Sequence, residues 1–218
     1  MNRTQLMSEL LEVLNDSEVN GIWSPATLWG YLAEGQDKFC EDTGYFKDAS
    51  TFSLTLVTDT AIYNIPDRIV QIIDIWDGTR KLCKIPTGER YTSEGAEGAP
   101  AYWETDFETG IIKIYPTPTS DQDGDTLTLQ VWRYSLQDFA DDDASPTINP
   151  EIPSRFQRAM IHWAAYQAFE QHDMEQQEPV KAQDHLEKYK MYAREGKRAL
   201  NRYQNHEVRV GTDPAYAT

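Results

Sequence analysis

The hydrophobic period of this chain changes twice, and that change limits what it can fold into. Leu6, Leu10, Val13 and Leu14 recur at helical spacing, as do Leu28, Leu32 and Phe39. From Phe52 the period becomes two, with Phe52, Leu54 and Leu56 alternating with Ser53 and Thr55. Helical spacing returns after Pro150. A helix turns about 100° per residue and a strand about 180°, so neither pattern buries one face in the other conformation. The order is therefore helices, strands, helices, an α+β chain. The expected layout is a helical bundle from residues 1–49 and 150–204. An antiparallel β-module, a small sandwich or barrel-like sheet, occupies 50–135 between helices two and three. Residues 136–149 read as an acidic loop and 205–218 as an extended C-terminal tail.

Local signals sharpen this layout. Ser24 is placed to cap a helix that starts at Pro25 and stops at Gly44. Asp77–Gly78 is a two-residue hairpin signal between "RIVQIIDIW" and "KLCKI". "GIIKIYP" and "DTLTLQVWRY" flank the turn-rich "TPTSDQDGD". Ser154 and Gln157 have the S-x-x-Q spacing of a capping box for the third helix. The fourth helix is expected from Glu178 to Tyr203.

The formal net charge is −16. Phosphate binding needs clustered Lys and Arg, so this balance argues against a surface that grips nucleic acid and permits one that DNA slides past. The two cysteines, Cys40 and Cys83, give neither a disulfide framework nor zinc spacing. The N-terminal stretch is too acidic for a signal peptide, and no apolar run reaches the roughly 20 residues of a membrane span. A protein of a reducing compartment, away from the membrane, is expected.

Candidate chemical sites are few. In "DQDGD", Asp121, Asp123 and Asp125 hold positions one, three and five of a calcium loop. Thr126 and Trp132 stand where that loop needs its Gly and its closing Glu, so a solvated turn is expected. Asp141, Asp142 and Asp143 repel one another and read as solvated. His162 and His172 are ten residues apart, which is not a metal-pair spacing. The third helix reads as a packing element, with Phe156, Ala159, Met160, Trp163 and Tyr166 on its apolar face and His162 at the boundary. No catalytic, cofactor or metal residue is assigned, and no enzyme activity is expected.

The fourth helix carries the clearest signal for binding. Ala182, Leu186, Tyr189, Ala193, Gly196, Leu200 and Tyr203 form a seam of 3.5 period. Gly196 costs helix propensity, which close approach of another helix would offset. Off the seam, Lys188, Lys190, Arg194, Lys197, Arg198 and Arg202 oppose only Glu195. Arg194, Lys197, Arg198 and Arg202, with Val208 and Val210 of the alternating "EVRVG", are the candidate partner-binding residues.

Four ordered motifs carry a family resemblance: Tyr63–Pro66 ("YNIP"), Gly98–Trp103 ("GAPAYW"), Ile112–Pro118 ("IKIYPTP") and the helix returning after Ile152–Pro153. Together they resemble the head-to-tail adaptor proteins of tailed bacteriophages, also called connector or tail tubular proteins, over about residues 61–203. The resemblance implies a structural virion protein of the phage neck, assembled in the host cytoplasm. It implies a ring of twelve copies below the portal, joining the capsid to the tail. Its implied partners are the portal protein, the tail nozzle or tail-tube protein, further copies of itself, and DNA passing through an axial channel without sequence-specific binding. It implies no cofactor, no membrane and no enzyme activity. A second reading is a carbohydrate-binding or hydrolytic tail component that uses Tyr102, Trp103 and Trp132 of the β-module.

Overall fold

The computed structural model describes residues 1–16, 21–86, 95–106, 108–137, 148–171 and 179–210, with 203–210 described as backbone only. The chain divides into two compact units, Met1–Tyr45 with Tyr134–Thr218, and Phe46–Arg133.

The first unit is helical. Helices α1 (Arg3–Leu14), α2 (Pro25–Thr43), α3 (Gln157–Gln171) and α4 (Pro179–Val210) pack with α3 against each of the other three. Ser24 caps α2 by accepting from the Thr27 N–H, and Gly44 ends it in the left-handed conformation at φ 61°. The buried face of α2 is Leu28, Leu32, Phe39 and Cys40, with Gly35 and Gln36. Gly35 is there because α3 crosses it. A Cβ at that position would stand 3.0 Å from the Met160 carbonyl oxygen and 3.1 Å from Trp163 Cβ.

The expected capping box of α3 does not form. Ser154–Phe156 is a 3-10 turn preceded by Pro153, and α3 begins only at Gln157. Gln157 is buried, and its side chain serves tertiary contacts instead. It donates to the Ile152 carbonyl at 2.9 Å and accepts from the Met1 amino group. A buried amide is held more firmly by partners that would otherwise be left unsatisfied than by an exposed cap. The residues fully buried on α3 are Ala159, Met160, Ile161, Ala164, Ala165 and Ala168. Trp163 is half-buried, its ring edge-on to Tyr189 at 5.0 Å.

Helix α4 continues beyond Tyr203 through Val210, so the extended tail expected from residue 205 does not begin there. The backbone carries the helix on because nothing in "NRYQNHEVRV" breaks it; the first Gly is residue 211. Residues 211–218 lie outside the described residues. The seam holds as expected in its described part, with Ala182, Tyr189 and Gly196 buried. The Tyr189 hydroxyl donates to Asp42 of α2 at 2.7 Å. Burial, with this carboxylate beside it, pushes the Tyr189 hydroxyl far above its ordinary range.

The second unit is a sandwich of two four-stranded sheets. One has the order β1 (Phe46–Thr55), β8 (Thr126–Arg133), β3 (Ile69–Asp77), β4 (Arg80–Lys81). The other has β2 (Ile62–Asn64), β7 (Ile111–Tyr115), β6 (Tyr102–Asp106), β5 (Cys83–Lys84). All pairs are antiparallel except β5–β6. The chain changes sheets at Leu82, whose N–H still donates to Ile75 in the first sheet while the Cys83 N–H donates to Ala101 in the second. The inner faces share one core, including Ile72, Ile75, Leu127, Leu129 and Val131 from the first sheet and Trp103, Ile112 and Ile114 from the second.

Three boundaries differ from the sequence reading. The hairpin loop is Gly78–Thr79, because Asp77 pairs with Arg80 across it. Strand β6 escapes the period-two pattern, since only Trp103 of "YWETD" is buried. Strand β1 starts at Phe46 and contains a bulge between Asp48 and Phe52. Asp48 organises that bulge by accepting from the Ser50 and Thr51 N–H groups, the Thr51 hydroxyl and Arg133 Nε. Burial opposes the charge of Asp48, but these donors outweigh it and hold the carboxyl well below the usual carboxylate range.

Candidate docking face on the last helix

Six cations lie on α4 between Lys188 and Arg202, and the structure sorts them. Lys188 is paired with Asp184 at 2.5 Å and Lys190 with Glu187 at 2.9 Å, each one turn away on the same helix. Arg194, Lys197, Arg198 and Arg202 are exposed and make no ion pair with a described residue. The seam turns the opposite face of α4 inward and leaves these four outward.

Arg198 and Arg202 line a cleft with Glu195, Ala199, Arg155 and Phe156; Arg194 and Lys197 do not. Phe156 is buried and forms the floor, with the Arg155 guanidinium 4.5 Å from its ring centroid. Arg155 was invisible to the sequence reading. It lies some 40 positions before Arg198, and only packing of the 3-10 turn beside α4 brings them together. Val208 and Val210 stand in the last turn of α4, and their side chains lie outside the described residues.

Gly196 explains how α4 comes so close. A Cβ there would meet Phe39 Cζ at 2.7 Å and Thr43 Cγ2 at 3.2 Å. The Phe39 ring cannot swing away readily, being packed against Tyr45 and Phe156 at centroid separations of 6.1 and 5.5 Å.

The histidine expected at the boundary is half-buried there, and it has a partner that its spacing does not show. His162 of α3 and His185 of α4 face each other with their Nδ1 atoms 3.1 Å apart. His162 stacks on Tyr192 and His185 on Phe169. One Nδ1 must carry hydrogen and the other accept, so two protonated rings would set N–H against N–H. Burial, followed by His185, Lys188 and Arg158, lowers His162 to about 4, against the opposing pull of Asp184. Unfolded chains therefore take up this proton at higher pH than folded ones. The His162 contribution to stability is lost as pH falls from about 6.5, the free histidine value, through about 4. We expect the melting temperature to fall across that window and His162→Phe to flatten the fall. Identical pH slopes for the two proteins would refute the assignment.

The remaining candidates do not assemble into a reactive centre among the described residues. Asp123 accepts from the Thr58 N–H at 2.9 Å and serves the turn. No group of three or more His, Cys, Asp or Glu that could hold a metal ion forms among the described residues. His172 and Asp141–Asp143 lie outside them. Cys40 is buried and Cys83 exposed, both as free thiols. Trp103 is fully buried, and Trp132 is partly buried with its indole nitrogen enclosed, so of the three module aromatics only Tyr102 is exposed. No described helix is long and apolar enough to cross a membrane.

The chain thus combines a helical unit, interrupted in sequence by a small β-sandwich, with a basic segment on its last helix. The family model for the SU10 adaptor protein matches residues 1–215, and the chain belongs to that family. It is a phage adaptor, a structural protein that interacts with other head and tail components. No curated protein matches the sequence.

Proposed function

We propose that this adaptor forms a ring below the portal, joins the capsid to the tail, and surrounds the channel through which DNA passes. The observation that carries the reading is the separation of charge. Lys188–Arg202 holds six cations and one acid, a net of +5, so the rest of the chain sums to −21 against the total of −16. The basic face offers attachment to acidic surfaces of the portal, the tail nozzle or tail tube, or a neighbouring copy. The acidic remainder disfavours adhesion of DNA in transit. The action is mechanical, without catalysis or cofactor, at the neck of the virion after assembly in the host cytoplasm. Twelve copies would match a ring of the kind the family resemblance implies. Val208 and Val210 of α4 are candidate contacts in the same attachment.

Charge reversal at Arg194 and Arg198 tests this. Exposed charges contribute only about 0–1 kcal/mol per pair to stability, so the subunit should stay folded by circular dichroism. Co-assembly with the portal and incorporation into particle necks, read by cryo-electron microscopy, should fall. Normal incorporation of the folded variant would defeat the proposal.

A further inference from the structure

We propose that the cleft between the 3-10 turn before α3 and the C-terminal half of α4 receives carboxylates of a second copy of this chain. The inference rests on the docking reading above and narrows it to one pocket and one occupant. Three guanidiniums, of Arg155, Arg198 and Arg202, line the cleft against a single carboxylate, Glu195. None of the three makes an ion pair with a described residue. Arg198 and Arg202 sit one helical turn apart, where like charges repel, and Arg155 adds a third from another element. Such convergence is unfavourable in the free chain and favourable once an acid enters. The Arg155 guanidinium carbon lies over the buried Phe156 ring, 4.5 Å from its centroid, and its N–H groups can form paired hydrogen bonds with a carboxylate.

Charge selects the occupant. Outside Lys188–Arg202 the chain carries a net −21, so the surface of an identical copy complements the cleft. The contact joins two different patches, which makes it head-to-tail, the geometry that closes into rings. Nucleic acid also offers anions and would be released by the same rise in salt, so DNA retention is measured beside self-association.

The test is sedimentation velocity on the full chain at low and high salt. Wild type should self-associate at low salt and dissociate at high salt. Reversing Arg155, Arg198 and Arg202 together to Glu should weaken association at least about tenfold. Replacing the three by Lys should weaken it less, since charge is kept and the planar fork is lost. Reversing the exposed Lys47, Lys81 and Lys84 makes the same change in net charge and should leave association intact. A wild type that stays monomeric, a cleft reversal without effect, or an equal loss from the control reversal would each overturn the proposal. So would a cleft reversal that abolishes DNA retention while self-association persists. Incorporation into particle necks is a separate readout. If the cleft-reversed chain self-associates normally while the Arg194 and Arg198 reversal still blocks incorporation, the cleft fails and the adaptor reading stands.

Discussion

Trp103→Ala is expected to unfold the β-sandwich at markedly lower urea than wild type. Trp103 is the largest fully buried side chain among the described residues and stands where the two sheets meet, in the core with Ile72, Ile75, Ile112, Ile114 and Leu129. Removing a buried Trp costs about 3–5 kcal/mol, through lost transfer energy and the cavity left behind. The Lys84 ammonium, 5.0 Å from the ring centroid, loses its aromatic partner as well. Trp103→Phe should cost much less. It keeps a large ring and removes an indole N–H that is buried without a hydrogen-bond partner, a donor whose desolvation is uncompensated. Hydrogen exchange on β8 amides should report the loss directly, since β8 is the central strand between β1 and β3. Wild-type stability of the alanine variant would remove Trp103 from its place as the keystone of the sandwich.

The second large effect is expected at the crossing of α2 and α3. Gly35→Leu must place a whole side chain where even a Cβ meets the Met160 carbonyl oxygen, the Met160 Cα and Trp163 Cβ at 3.0–3.1 Å. Two of those atoms are backbone, so relief requires α3 to move as a body and lose its contacts with α1 and α4. Overpacking of this kind costs about 1–3 kcal/mol and occasionally more. Leucine regains under 1 kcal/mol of helix propensity, so the net change is a clear loss near the upper end of that range. Gly30→Ala on the same helix is the control. Nothing lies within 4 Å of a Cβ there, and the substitution should stabilise α2 by up to about 1 kcal/mol. Thermal melts of the two variants should therefore move in opposite directions; movement of both to lower temperature would reject the steric account.

The amino-acid order by itself determined the alternation of helical and sandwich units. Periods of 3.6 and 2 are local properties, and so are the Ser24 cap, the Gly44 stop and the Gly78 turn. It also placed Gly196 on an inward seam, because a helix interior keeps glycine at a cost that close packing offsets. The family resemblance rested on four local motifs for the same reason, and the family match over residues 1–215 bears it out. Other features depended on contacts between distant residues. Gln157 abandons its expected cap because Ile152 and Met1 are within reach once the bundle forms. His162 stays at the boundary as expected, but its pairing with His185 of α4 exists only once the two helices pack. Strand β6 lacks an alternating pattern because only Trp103 of its five residues is fully buried. Most of all, Arg155 joins Arg198 and Arg202 only when the 3-10 turn before α3 packs beside α4. A sequence can display the charge of each arginine, but whether three of them share one cleft is decided by the distances that tertiary packing sets.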